Sequence, residues 1–480
     1  MFLPFILLLA ILSARAFQFP FPKPAVDPQF ETSSGGLATL ADEYTTFHHT
    51  YFPSYAVRIK RTPPEFCDPT TSTYTGYIDV SPARHLFFYF FESRSDPDTD
   101  DVILWTNGGP GGSSSLGLFM ELGPCRLING TTTRVNPYAW NERANLIFID
   151  QPIGVGFSYA DHGESVASTE DSAQDIVAFL TIFFENFPKL RGRVLHLAGE
   201  SYGGRYIPAF AAAIYDSNKK LNLSGLTPIN LKSILIGNGF MDMYTMTPSY
   251  YDFMCTPTSV EPFVDIATCV GLKTAMPRCI KWYKESCLDS LDLISCQAAM
   301  SFCNDLTGNA MLATGRNPND VSKRCDGPSP ASVCYPIAKD INEYLNRPEI
   351  RKLLGVSPKL DNIPYTQINL TVNAAFKANV DYPRDRGVRV LLYAGTYDAV
   401  CNWIGIQRLA ESLEWTNATA FSEQQSKPWI LKTDMMKAGT LKSFGGLTFL
   451  AIDGAGHMVP YDKPVESLDM LNRWIHEEEF

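Results

Sequence analysis

The chain has 480 residues, of which 45% are hydrophobic and 19% charged, a composition expected of a globule large enough for a sheet-centred core with or without a subdomain. A formal charge of −11 argues against a general nucleic-acid binder, because such a surface repels phosphate instead of releasing its counterions. The same charge suits work in an acidic place, although an ordinary solvated acidic surface accounts for it equally well.

In chain order, the opening "MFLPFILLLAILSARA" carries an apolar run from Phe2 to Leu12 and then Ala14-Arg15-Ala16, an A-x-A cleavage pattern. Residues 1–16 are therefore expected to be a secretory signal peptide. The usual basic start is missing, and a short membrane anchor is the alternative. No later apolar run is long enough to span a bilayer, so the mature protein is expected to be soluble. Residues 17–55, rich in proline, aromatic and small polar residues, read as a pro-segment or a loosely attached N-terminal arm. The "FHHTYF" there reads as a feature of that segment and not as a metal site. No H-E-x-x-H occurs, and neither a metal nor a cofactor is expected.

Strand-like runs follow: "TYTGYIDV", "HLFFYFFES", "DVILWT", "NLIFID", "RVLHLAG", "KSILIGNG", "VRVLLYAG" and "LTFLAIDG". Several are short, continuous and apolar, as strands covered on both faces should be. Between them "STEDSAQDIVAFLTIFFENFP" reads as a helix, opened by Ser168 with Asp171 three residues on and closed by Pro188. "PVESLDMLNRWIHEEEF" reads as a terminal helix. This alternation predicts a mostly parallel sheet flanked by helices. Residues 241–348 interrupt it with eight of the eleven cysteines and little strand signal. They are expected to form a disulfide-rich cap inserted between two halves of an α/β core, residues 56–240 and 349–480. The odd cysteine count predicts bridges plus one spare thiol, and the sequons at Asn129, Asn222, Asn369 and Asn417 permit glycans in an oxidising lumen.

The chemistry concentrates in "GESYGG". Gly199-x-Ser201-x-Gly203 between a strand and a helix is the nucleophile-elbow pattern, in which the glycines allow close approach and the serine sits exposed on a strained turn. This predicts the α/β-hydrolase fold. A serine hydroxyl needs a base, itself oriented by a carboxylate, in the chain order Ser, Asp, His. Of the two later histidines, His476 lies in a charged terminal helix, whereas His457 sits in the glycine-rich loop "DGAGHMVPYD" directly after a strand. His457 is therefore the expected base. Asp398, in "GTYDAVCNW" after the strand "VRVLLYAG", is the expected carboxylate, with Asp453 as the alternative. An oxyanion needs backbone N–H donors, one from Tyr202 and one from the loop "ILWTNGGPGGSSS", where Gly108 and Gly109 permit close approach and a helix starts near Ser114.

Taken together, "WTNGGPGGSSSLGLFMELGP", "GESYGGRYIPA", "YAGTYDAVCNW" and "GAGHMVPYDKP" resemble, in order, the four signature blocks of the serine carboxypeptidases. The resemblance runs from about Tyr74 to the terminal helix and is weakest in the cysteine-rich insertion. It implies Ser201 as nucleophile, Asp398 and His457 as its partners, and Gly109 and Tyr202 as oxyanion donors. It also implies that Glu121 and Glu200 form a carboxyl pair which, with Trp105, Asn107 and Gly108, recognises the substrate's C-terminal carboxylate. Leu116, Met120, Cys401 and Met458 match positions lining the pocket for the substrate's side chains, which leans toward an apolar C-terminal residue. Where the family usually carries cysteine in this loop the chain has Gly112, so Cys67 and Cys125 are left to bridge each other or the insertion, and Cys401 is the candidate free thiol.

Two carboxyls within hydrogen-bond reach cannot both ionise cheaply, so one keeps its proton and can donate to a third carboxylate. The expected activity is therefore hydrolysis of C-terminal residues through an acyl-enzyme, best in mild acid. An acyltransferase or esterase on the same scaffold is the alternative, and a non-catalytic binding protein would be expected to lack one of these residues. The expected partners are peptide C-termini, with no nucleic acid and no membrane. The expected destination is outside the cell or in a vacuole or lysosome, and the oligomeric state is not legible.

Overall fold

Each of the eight apolar runs forms a strand of one 13-stranded sheet in the computed structural model, which describes residues 37–161, 164, 166, 168–325, 334–368 and 387–480. Six neighbours in the middle, Asn145–Ile149, Val102–Thr106, Val194–Glu200, Asn230–Gly237, Arg389–Gly395 and Leu447–Ile452, run parallel. Antiparallel strands flank them: Arg84–Phe91, Thr73–Ser81, Ala56–Thr62 and Thr45–His48 on one side, Lys437–Phe444 and Lys427–Ile430 on the other.

The continuous apolar runs follow from burial on both faces. Leu104 packs in the cluster with Phe179, Phe183 and Tyr206, while its neighbours Ile103 and Trp105 join the opposite cluster with Trp140 and Phe148. One face is covered by the helix Thr169–Asn186, whose first turn is capped by Ser168 Oγ accepting from Asp171 N–H at 3.1 Å. Glu170 and Asp171 in that first turn also suit the positive end of the helix dipole. Phe187 and then Pro188 end it, since the residue before a proline is driven out of helical geometry. The terminal helix forms over Pro464–Ile475.

The insertion is helical and stapled. Ile266–Tyr283 and Leu293–Leu312 form an antiparallel pair, as the nested bridges Cys279–Cys303 and Cys287–Cys296 require, and Cys255–Cys269 and Cys325–Cys334 fix its two ends. A small hairpin, Arg316–Asn317 with Asp320–Arg324, follows. Cys67 and Cys125 bridge each other and not the insertion, which leaves buried Cys401 as the free thiol. In place of a bridge at Gly112 there is a backbone pairing with Ile368.

The N-terminal arm needs correction. From Leu37 onward it is fastened to the core: Thr45–His48 extends the sheet, Phe47 packs on Phe187 with ring centroids 5.2 Å apart, and Tyr44 Oη donates to Gly355 O at 2.6 Å. The expected signal peptide and the first part of the arm, residues 1–36, lie outside the described residues. Among the described residues no helix is long and apolar enough to cross a membrane.

Candidate active site

The parallel strands deliver their carboxyl ends to one edge of the sheet, where α/β folds place their ligands. Ser201 is the first residue after Val194–Glu200, and only Tyr202 separates it from the helix Gly203–Leu223. Its φ of 59° is left-handed backbone, costly for a serine and held by its surroundings. Ser201 N–H donates to Gly237 O at 3.1 Å, and its carbonyl accepts from Phe240 N–H at 2.7 Å and Gly204 N–H at 2.9 Å. The Gly108 backbone presses against this turn: a Cβ on Gly108 would lie 2.6 Å from Glu200 O and 2.8 Å from Ser201 Cβ, and closer still to Tyr202 N. Glycine is thus required there, and the loop of Gly108 and Gly109 sits beside the Tyr202 amide.

Asp398 and His457 meet directly, His457 Nδ1 lying 2.7 Å from Asp398 Oδ2. Asp398 has no exposed surface and accepts three further bonds: from Val400 N–H at 2.8 Å, Cys401 N–H at 3.1 Å and Asn238 Nδ2 at 2.7 Å. Asn238 immediately follows Gly237, the residue that binds Ser201 N–H, and its Oδ1 accepts from Gly395 N–H at 3.1 Å. One side chain thereby ties the serine's turn to the aspartate's loop. Burial works against a charged His457, yet the charge and hydrogen bond of Asp398, with Glu121 and Asp462 behind it, outweigh burial and raise the imidazole above its usual value.

The second cluster is a buried carboxyl pair. Asn107, at the end of Val102–Thr106, accepts on Oδ1 from Trp105 Nε1 at 2.8 Å and from Gly117 N–H at 3.0 Å. That fixes the amide's orientation and turns Nδ2 toward Glu200 Oε1 at 3.2 Å and Glu121 Oε1 at 3.4 Å. Glu121 comes from a wide π-turn, Gly117–Glu121, closed by Leu122 N–H to Gly117 O at 2.9 Å. A Cβ on Gly117 would lie 2.8 Å from Asn107 Oδ1, so the turn approaches Asn107 only because that residue is glycine. Burial, and then the charge of Glu121 together with their mutual hydrogen bond, hold Glu200 well above the usual carboxyl range, while burial raises Glu121. The pair thus holds a proton between its two carboxyls. Glu200 and Ser201 are consecutive residues, which brings the pair to the serine's turn.

The remaining expectations fall as follows. Leu116, Met120 and Met458 are buried in one apolar cluster, and Cys401 is buried in another, its thiol pushed up by burial and by Asp398. Asp453 pairs instead with Lys437 Nζ at 2.7 Å, and His476 is exposed. Asn129 and Asn222 are exposed and Asn417 half-buried, whereas Asn369 lies outside the described residues. Asp398, Cys401 and His457 offer ligand atoms within 4.8 Å of one another. Asp398 already accepts from four donors, His457 Nδ1 among them, which orients the ring as a hydrogen-bonded base.

Sequence reasoning missed Asn238, although an asparagine at φ 39° between two glycines directly after a strand is a usable signal. It also missed Asp150, whose buried carboxylate accepts from Ser114 N–H at 3.2 Å and Ser113 Oγ at 2.5 Å. Asp150 thereby anchors the start of the segment that carries Glu121.

The family profile for serine carboxypeptidase matches residues 64–477. The chain is 40% identical over 443 residues to carboxypeptidase Y of Candida albicans, covering 89% of this chain and 78% of that one. It is likewise 40% identical over 436 residues to carboxypeptidase Y homolog A of Ajellomyces dermatitidis, covering 88% and 77%. Among solved structures it superposes on a prohormone-processing carboxypeptidase of Saccharomyces cerevisiae with a TM-score of 0.73 and 25% identity, over 87% of this chain and 95% of that one. The α/β-hydrolase core with its disulfide-stapled insertion and these matches agree, and the chain belongs to the serine carboxypeptidase family.

Proposed function

We propose that this serine-type carboxypeptidase uses Ser201 as nucleophile, His457 as general base and Asp398 as the carboxylate that orients the ring. In the first half-reaction the neutral imidazole takes the Ser201 proton through Nε2, since Nδ1 is engaged with Asp398. Ser201 Oγ attacks the last peptide carbonyl, and the oxyanion forms against the N–H groups of Gly109 and Tyr202. Such a donor is worth about 3–4 kcal/mol of barrier. His457 then protonates the leaving amine, the terminal residue departs, and water repeats the sequence on the acyl-enzyme.

The observation that carries the reading is the turning of Asn107 Nδ2 toward two buried carboxyls immediately beside Ser201. Asn107 Nδ2 and the proton held by the Glu121–Glu200 pair supply donors for a free C-terminal carboxylate, with Trp105 and Gly108 framing it and Leu116, Met120, Cys401 and Met458 walling the side-chain pockets. Rising pH removes the shared proton and sets like charges against the substrate, so affinity falls toward neutral pH, while His457, raised by Asp398, must shed its own proton to act; the mildly acidic optimum lies between these two steps. Acyl transfer to an alcohol would use the same acyl-enzyme; the carboxyl pair, which serves a free carboxylate, supports the peptidase reading. Five disulfides support passage through the secretory route to a vacuole or the medium, and Asn129 and Asn222 are the sequons best exposed for glycans. The division into a core of 56–240 and 349–480 with a cap of 241–348 belongs to the same proposal. Ser201→Ala tests it: release of the terminal residue from a blocked dipeptide should vanish while the fold persists, and retained turnover would remove Ser201 from its role.

A further inference from the structure

The loop carrying His457 is held from two sides. On one side Arg126 Nη2 donates to Glu121 O at 3.1 Å and to Pro460 O at 2.8 Å, joining the carboxyl-pair turn to the residue three beyond His457. On the other the hairpin turn of the insertion reaches in. His457 N–H donates to Asn319 O at 2.7 Å, Ala399 N–H to Pro318 O at 2.9 Å, and Val321 N–H to Tyr397 O at 3.0 Å. One turn of the insertion therefore braces the backbones of both Asp398 and His457. The fit is close: a Cβ on Gly456 would lie 2.9 Å from both Asp320 Cβ and Asp462 Oδ2, and closer still to Asn319 O.

A charged cluster closes this joint. Asp462 Oδ2 accepts from Gly456 N–H at 2.9 Å, and its Oδ1 lies 3.2 Å from Lys323 Nζ. Lys323 in turn lies 2.6 Å from Asp320 Oδ2, so two carboxylates share one cation. The Asp462 side chain is only 6% exposed; burial raises its carboxyl above the usual range against the pull of Lys323 and Gly456 N–H, and when ionised it adds negative charge near His457 and Glu121.

We propose that Asp462 is a positioning residue for His457: it pins the histidine's loop to the hairpin of the insertion through Gly456 N–H and Lys323, and it sets a second fixed negative charge behind the imidazole. The proposal rests on His457 being the general base. The groups facing His457 are Asp398 from the loop after Arg389–Gly395, the neighbouring Cys401 thiol, Glu121 from the π-turn, and Asp462 on its own loop. Those facing Asp462 are Lys323 and Asp320 of the hairpin, with Tyr335 packed edge-on against the adjacent Tyr461. A negative charge near the ring favours the imidazolium, so removing it makes His457 a free base at lower pH. Asp462 also favours the protonated Glu121, so both limbs of the pH profile move the same way.

The test is kcat/KM against pH on a blocked dipeptide with a free C-terminus. Asp462→Asn keeps the shape and an acceptor oxygen for Gly456 N–H but loses the charge, and its acid limb should fall by about half a pH unit. Asp462→Glu keeps the charge and displaces the oxygen; its acid limb should stay at the wild-type midpoint while kcat falls several-fold. Asp462→Ser, also uncharged, takes the place of Asp462→Asn should the latter not fold. An acid limb at the wild-type position in the uncharged variant overturns the proposal. Turnover surviving in His457→Ala would overturn the base assignment instead, so the two failures are distinguishable.

Discussion

Glu200→Gln isolates the shared proton. The amide is nearly isosteric with the protonated carboxyl: its oxygen can accept from Asn107 Nδ2, as Glu200 Oε1 does at 3.2 Å, and its NH2 can donate to Glu121. In wild type, each pH unit above the midpoint of the pair removes tenfold of the proton-holding form, or about 1.4 kcal/mol of carboxylate binding. Two units above it, peptide affinity should be down about a hundredfold. Glu200→Gln cannot lose that proton, so its KM should stay level over the same interval. In mild acid it should be about 3–10-fold worse than wild type, because a neutral amide replaces a carboxylic acid as donor. Stability should follow the same proton. Glu200 has a folded-state pKa raised above its unfolded value by burial and by Glu121, so its contribution is full below the unfolded value and is lost as pH rises through the folded one. Wild type should therefore lose Tm toward alkaline pH faster than Glu200→Gln. The assay is initial-rate hydrolysis of a blocked dipeptide between about pH 4 and 9, spanning the ordinary carboxyl and histidine ranges, with thermal melts in the same buffers. A Glu200→Gln enzyme whose KM climbs at the same midpoint as wild type would refute the reasoning.

Gly108→Ala would place a methyl group against Tyr202 N and 2.8 Å from Ser201 Cβ, pushing the loop off the oxyanion position. It should lower kcat about 10²–10³-fold with far less effect on KM, and a normal kcat would exclude this loop from the chemistry. Replacing Cys67 and Cys125 together by serine opens a bridge spanning 58 residues, which chain entropy values at about 4 kcal/mol. Denaturant melts should show most of that loss, and a change below about 1 kcal/mol would mean that the bridge is not a main staple of this region.

Much of this architecture was legible because its signals are local. Runs such as "NLIFID" and "KSILIGNG" can only be strands buried on both faces, and the serine elbow declares itself by a strand, two glycines and a helix. The outermost flanking strands were not legible for the opposite reason. Ala56–Thr62 reads "AVRIKRT" and Lys437–Phe444 reads "KAGTLKSF", charged or small residues whose strand character comes from pairing with a neighbour. Thr45–His48, at the sheet edge, passed for a loose arm for the same reason. In the site, Asp398 and His457 follow strands and were found from that, and Glu121 was found through family resemblance. Asn238, Asn319 and Asp462 act through a side-chain amide, a backbone carbonyl and a contact between core and insertion. Beyond the two glycines that flank Asn238, no spacing in the chain announces such contacts, because they join segments far apart in sequence.

The central claim is that a buried, proton-sharing carboxyl pair beside Ser201 grips a free peptide C-terminus. It is tested most directly by the ratio of kcat/KM for a blocked dipeptide to that for its C-terminal amide, followed across pH with the wild-type enzyme. Two charge-assisted hydrogen bonds to the carboxylate predict a ratio of at least about 10² in mild acid, shrinking toward neutral pH as the pair gives up its proton. A ratio near one in mild acid, or one that does not change with pH, would contradict it.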